Sequence, residues 1–212
     1  MPSTRRRLLA GIGAGGATVL AGCAGQLPGT DPRQADTVET GDERELVWQY
    51  PASEVEAHDD GIGYASVTFD GGQSSEPSPP PLAFELNTTV GGIAASEAYT
   101  DYEADRARFR LGPPSEYAVS HPFEMWVQPP GGGFDLRTGY DHRPGRRELV
   151  VELPEIGSGG TITFPVVFDP VDAVPDRVHC SFTVEASEPG AFGETVRASG
   201  RGTIDVSGAG SS

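Results

Sequence analysis

At 212 residues the chain has room for one domain with extensions, and 31 acids stand against 15 arginines and no lysine, a formal net charge of -16. A chain this acidic is repelled by phosphate backbones and anionic membrane surfaces, so nucleic acid is excluded as a partner. Gly 29 and Pro 19 together exceed one residue in five, which excludes a bundle of long helices and favours short strands between turns.

The N-terminus concentrates positive charge before an apolar run. Thr4-Arg5-Arg6-Arg7-Leu8-Leu9 resembles the twin-arginine export motif, with Arg5 and Arg6 as the signal pair. The run from Leu8 to Gly22 is diluted by five glycines and falls short of the roughly 20 residues a helix needs to span a bilayer, as a signal peptide does. Leu20-Ala21-Gly22-Cys23 resembles the lipobox of exported lipoproteins. The resemblance implies removal of residues 1–22, lipidation of Cys23 as the new N-terminus, and a tether to the extracellular face of the membrane. Twelve arginines against 31 acids then leave the mature chain near -19. An acidic composition whose only strong cations are arginines resembles the proteins of extremely halophilic archaea. At ~1 M salt the Debye length falls to about 3 Å, and such carboxylates hardly repel one another.

Residues 23–44 carry the lipidated Cys23 and then a polar, acidic stretch broken by Pro28 and Pro32, which reads as a disordered tether with no core of its own. Residues 45–206 read as the folded domain. Short apolar runs rich in Val, Ile, Phe, Tyr and Thr recur at 45–50, 62–69, 82–90, 105–111, 121–128, 147–153, 160–168, 177–186 and 192–206, between Gly, Pro, Asp and Ser punctuation. Period-2 alternation puts three sets toward one core: Leu82, Phe84, Leu86 and Val90; Ile162, Phe164, Val166 and Phe168; Val178, Cys180, Phe182 and Val184. Pro165 cannot donate to a ladder, so its strand is expected at an edge or with a bulge. Residues 207–212 read as a disordered tail.

The stretch ELVVELPEIGSGGTITFPVVFDPVDAVPDRVHCSFTVEA resembles the late strands of immunoglobulin-like domains in secreted archaeal and bacterial surface proteins. It implies an all-β, Ig-like antiparallel β-sandwich of about eight or nine strands, although the Cys, Trp, Cys signature of antibody domains is absent. With Cys23 lipidated, Cys180 has no intrachain disulfide partner and reads as a small buried hydrophobe.

Several features are candidates for chemistry. The segment 129–146 is longer than most connections and carries Phe134, Tyr140, Asp141, His142 and Arg143, a candidate binding loop of aromatic and Arg residues. Arg106, Arg108 and Arg110 alternate with Ala107, Phe109 and Leu111, a basic stripe able to grip a carboxylated glycan or an acidic neighbour, or to pair with acids on adjacent strands. Asn87-Thr88-Thr89 is a glycosylation sequon. His58-Asp59-Asp60 lacks the spacing of a calcium loop. A blue-copper site needs two His, a Cys and an axial Met; here His179 precedes Cys180 and neither His nor Met follows. No metal ligand set and no cofactor motif emerges, and nucleophile-elbow, zinc-protease and P-loop motifs are absent.

The expectation is therefore a lipid-anchored binding or structural interaction module at the cell surface, with no evident catalysis, that takes a protein or glycan partner. The alternative class is a small extracytoplasmic metal-binding or electron-transfer lipoprotein, or an enzyme without a recognisable motif.

Overall fold

The computed structural model describes residues 33–35, 37–50, 61–72, 79–92, 95, 97–128, 135–158, 160–190 and 193–210. The chain divides into two units, and the architecture below is that of the unit comprising residues 32–189 and 193–212. Its strands in chain order are β1 (Arg33–Gln34), β2 (Val38–Asp42), β3 (Glu45–Tyr50), β4 (Gly63–Gly72), β5 (Leu82–Val90), β6 (Glu103–Gly112), β7 (Phe123–Val127), β8 (Arg137–Arg143), β9 (Arg146–Leu153), β10 (Gly157–Ser158), β11 (Gly160–Pro170), β12 (Arg177–Ser187) and β13 (Thr195–Asp205). One short helix, α1 (Ser115–Ser120), precedes β7.

These strands form two sheets. The seven-stranded sheet runs β1, β13, β12, β6, β9, β8, with β10 joined to β6; the six-stranded sheet runs β2, β3, β4, β5, β11, β7. All pairings are antiparallel except that of β1 with β13. The protein is an all-β sandwich of two sheets that are antiparallel apart from β1.

Alternation explains how the sheets close on each other. The inward sets Leu82, Phe84 and Leu86; Phe164, Val166 and Phe168; and Val178, Cys180, Phe182 and Val184 are all buried, because successive strand residues point to opposite faces. Trp48 and Tyr50 of the six-stranded sheet stack on Phe182 of the other, with ring centroids 5.0 and 5.9 Å apart. Phe109 meets Phe164 edge-on at 5.8 Å. Each such ring contributes about 1.5–3 kcal/mol through burial. Gly200 on β13 makes room for the indole, since a Cβ there would lie 2.5 Å from Trp48 Cδ1.

All nine expected runs are strands, and the structure adds four more: β1, β2, β8 and β10. Two of these correct the expected tether, which ends earlier than residue 44. Arg33 and Gln34 pair with Val196 and Arg197, and β2 folds back on β3 as a hairpin. Polar edge strands like these carry no apolar alternation, so they read as linker. The expected disordered tail is also shortened, because Ser207–Gly210 form a 3-10 turn and Asp205 accepts hydrogen bonds from the Ser207 N–H and hydroxyl.

The strand bearing Pro165 is not an edge and has no register shift there; it lies between β5 and β7. Its ladder survives because Pro165 faces the end of β7, whose pairing with β11 begins only at Val166. The Pro165 carbonyl still accepts from the Gln128 N–H at 2.9 Å, and the missing donor costs no bond to β5.

Candidate functional site

The outer face of the seven-stranded sheet gathers the arginines. From β6 project Arg106, Arg108 and Arg110; from β13, Arg197 and Arg201; from β12, Arg177; from β9, Arg146; from β8, Arg137 and Arg143. Register brings them together in rows. Arg197, Glu185 and Arg106 lie side by side across β13, β12 and β6; the next row is Ser199, Thr183, Arg108; the next is Arg201, Ser181, Arg110. Along β12 the small residues Ser181 and Thr183 therefore form the floor of a trough with arginines on both banks. A cavity of about 670 Å³ opens here, lined by Arg108, Arg110, Arg146 and Arg201 among others.

Five carboxylates hold the arginines in place, among them Asp135, which accepts from Arg137 Nη2 at 3.1 Å. Glu185 bridges the two banks at one end of the trough, accepting from Arg106 Nε at 2.7 Å and from Arg197 Nε at 2.8 Å. Arg108 pairs with Glu152 at 3.1 Å. Arg110 pairs with Asp141, and its Nη1 is 3.5 Å from Glu148. Arg143 and Arg146 complete the set on Asp141 and Glu148. The Arg110 guanidinium, with help from Arg143, holds the Asp141 carboxyl below the usual carboxylate range against the opposing effect of burial. Nine arginines thus stand among five paired carboxylates, and among the described residues Arg177 and Arg201 have no ion-pair partner. Arrays of fixed guanidinium forks with hydroxyls between them bind carboxylates through paired, charge-assisted hydrogen bonds.

The other end of the trough closes on Arg177 opposite Asp205. His179 lies beside Thr203, with Nδ1 3.1 Å from its hydroxyl, while Cys180 points to the opposite face and is buried. Burial pushes the Cys180 thiol up, well above its ordinary value. The pair cannot share a ligand, and among the described residues no group of three His, Cys, Asp or Glu stands close enough to hold a metal ion.

The expected binding loop is corrected: residues 137–143 are strand β8, paired along its length with β9. The hairpin turns at Pro144-Gly145, where Gly145 adopts φ 73, the residues a type II turn uses. As alternation then requires, Tyr140 and His142 share one face while Asp141 and Arg143 share the other. Only the second pair joins the arginine face. Tyr140 instead turns its hydroxyl to the Met125 backbone of β7, and its ring stacks beneath the Arg147 guanidinium. Phe134, Cys23, Arg5, Arg6 and the group at 58–60 lie outside the described residues.

The basic stripe at Arg106, Arg108 and Arg110 projects outward as expected, with the acids of neighbouring strands beside it. Asn87 sits on β5, between Ser66 of β4 and Thr163 of β11. Its Oδ1 is buried without a hydrogen-bond partner among the described residues. Sequence reasoning missed Arg137, Arg146, Arg177, Arg197 and Arg201 as members of the face. The signal available was the spacing of Arg197 and Arg201, four apart and hence on one face of a strand.

No curated protein matches the chain. Among solved structures, a cohesin module from Clostridium perfringens ATCC13124 family 33 glycoside hydrolase is similar, with 15% identity and a TM-score of 0.35, over 68% of this chain and 97% of that one. The family model described as Domain of unknown function (DUF8121) matches residues 33–208, and the chain belongs to that family.

Proposed function

We propose that the protein is a non-catalytic interaction module, exported and lipid-anchored through Cys23 at the outer face of a halophile's membrane, whose arginine trough holds a carboxylate-rich partner. The observation that carries this reading is the segregation of charge. In a chain of net charge -16, nine of fifteen arginines project from one face of one sheet. Random placement would leave such a chain acidic everywhere. Concentrating the arginines costs mutual repulsion, which the five carboxylates paired with them and Asp205 opposite Arg177 offset in part, and an incoming row of carboxylates relieves the rest.

The trough suits a carboxylated surface better than a neutral sugar. Its floor is built mainly from hydroxyl and glycine residues; Phe182 is buried beneath it, and the His179 ring at one end is held beside Thr203, so guanidinium groups rather than a broad aromatic platform dominate the surface. Paired Arg–carboxylate contacts, once water is excluded, survive salt better than exposed charges do.

The test is capture of poly-L-glutamate by the full chain, with poly-L-lysine as control. The expected result is retention on polyglutamate that falls at least about tenfold in R108E/R110E/R201E, the loss of ~1.4 kcal/mol or more. Equal retention by that variant would sink the assignment of the trough. For the anchor, Cys23→Ala is expected to move the protein from the membrane fraction to the soluble one.

A further inference from the structure

We infer that the carboxylate-rich partner is a second copy of this chain, whose six-stranded sheet docks its outer face on the arginine trough. The inference rests on the reading of that trough as a carboxylate-binding surface.

The six-stranded sheet carries the complementary pattern. Asp42, Glu45, Thr68 and Glu85 form one outward row across β2, β3, β4 and β5. Thr68 donates its hydroxyl to Glu45 Oε1 at 3.3 Å. Glu124 and Asp169 stand directly opposite each other on β7 and β11. Among the described residues none of these five carboxylates has an ion-pair partner, and no arginine projects from this face. Asp42 opposite Glu45, and Glu124 opposite Asp169, are like-charged cross-strand pairs, which repel unless a cation stands over them. Trp126, 41% exposed, lies on the same face and offers a ring for a guanidinium to cover.

The two faces also match in pitch. Glu45, Thr68 and Glu85 are a charge, a hydroxyl and a charge on three adjacent strands. Arg201, Ser181 and Arg110 are the same arrangement in the opposite sign, with Arg110 sharing Asp141 and Glu148 with Arg143 and Arg146. Ordinary strand spacing sets each pair of charges roughly 10 Å apart, so two carboxylates of one copy meet two guanidinium groups of the next with hydroxyl facing hydroxyl. The contact joins two different surfaces, so each added copy leaves one of each free, and an open stack results rather than a closed dimer.

The net charge makes the stack salt-dependent in an unusual direction. At ~0.1 M salt, where the Debye length is about 10 Å, whole molecules of charge -16 repel. At ~1 M that repulsion is screened, while ion pairs enclosed between sheets are screened much less.

The experiment is sedimentation of the full chain at both salt concentrations, with R110E/R201E, with E45R/E85R, and with the two variants mixed. The expected result is self-association at least about tenfold stronger at ~1 M than at ~0.1 M salt, lost in each variant alone and restored on mixing, because reversed faces then complement each other. A chain that stays monomeric, association that stops at two copies, association unaffected by either variant, or failure of the mixture to recover would each overturn the inference. Polyglutamate capture separates the two readings. A monomeric wild type that still captures it, with R110E/R201E losing capture, overturns the stack and leaves the trough's function standing; loss of both overturns both.

Discussion

The hydroxyl of Tyr140 donates to the Met125 carbonyl and accepts from the Met125 N–H at 2.8 Å, so one side chain of the seven-stranded sheet closes the free edge of the other sheet. β7 is that edge, and an edge strand otherwise leaves such backbone groups to water or to another chain. Arg147 covers the ring from 4.7 Å and itself donates to the Phe123 carbonyl at 2.9 Å. The residue that the sequence offered as a binding contact is thus a clasp between sheets.

Tyr140→Phe removes both hydrogen bonds and leaves the ring in place. The expected loss of stability is about 1–3 kcal/mol, the cost of leaving a partly buried backbone pair unsatisfied. Urea unfolding measures it. Polyglutamate capture should not change, because the hydroxyl faces away from the trough; a stable variant that lost capture would return Tyr140 to the binding surface.

Glu185→Gln should move stability and affinity in opposite directions. Glu185 is nearly buried, but its partners Arg106 and Arg197 have side chains 62% and 41% exposed. Solvent screening therefore limits the loss of stability to about 1 kcal/mol. The same change removes a negative charge from the closed end of the trough, and polyglutamate should bind a few-fold more tightly. Thermal unfolding and a binding titration on one preparation read both effects; weaker binding would mean that Glu185 positions the arginines more than it repels the ligand.

The Asp141 carboxyl should titrate below its ordinary value of 3.8. A carboxyl depressed in the folded state stabilises the fold above its unfolded pKa and loses that contribution as pH falls through the folded one. The window for this residue therefore lies below about pH 4. Arg110 is the main cause, with Arg143 second, so Arg110→Ala should raise the midpoint toward the ordinary value by carbon-detected NMR titration. A midpoint that stayed put would locate the cause elsewhere.

How much of this was legible in the chain depends on what each strand buries. β12 could be read from residues because its inner face is Val178, Cys180, Phe182 and Val184, an apolar alternation that only one pleat satisfies. β8 could not. Its sequence, RTGYDHR, has charges on one face and a single aromatic clasp on the other, so no apolar period marks it, and the Gly and Pro around it suggest a loop. The arginine stripe of β6 was visible because its members are two apart; Arg146, Arg197 and Arg201 join it from strands 36 to 91 residues away, counted from Arg110 to Arg146 and Arg201.

The sequence by itself determined an all-β chain, its inward-facing residues and an excess of acid over arginine, because pleating and composition are properties of neighbouring residues. Only the tertiary structure decided that these arginines share one face, that Glu185 locks two of them together and that, among the described residues, the outward carboxylates of the other sheet have no ion-pair partner. Those facts follow from strand order and register, which long-range packing fixes and no local pattern encodes.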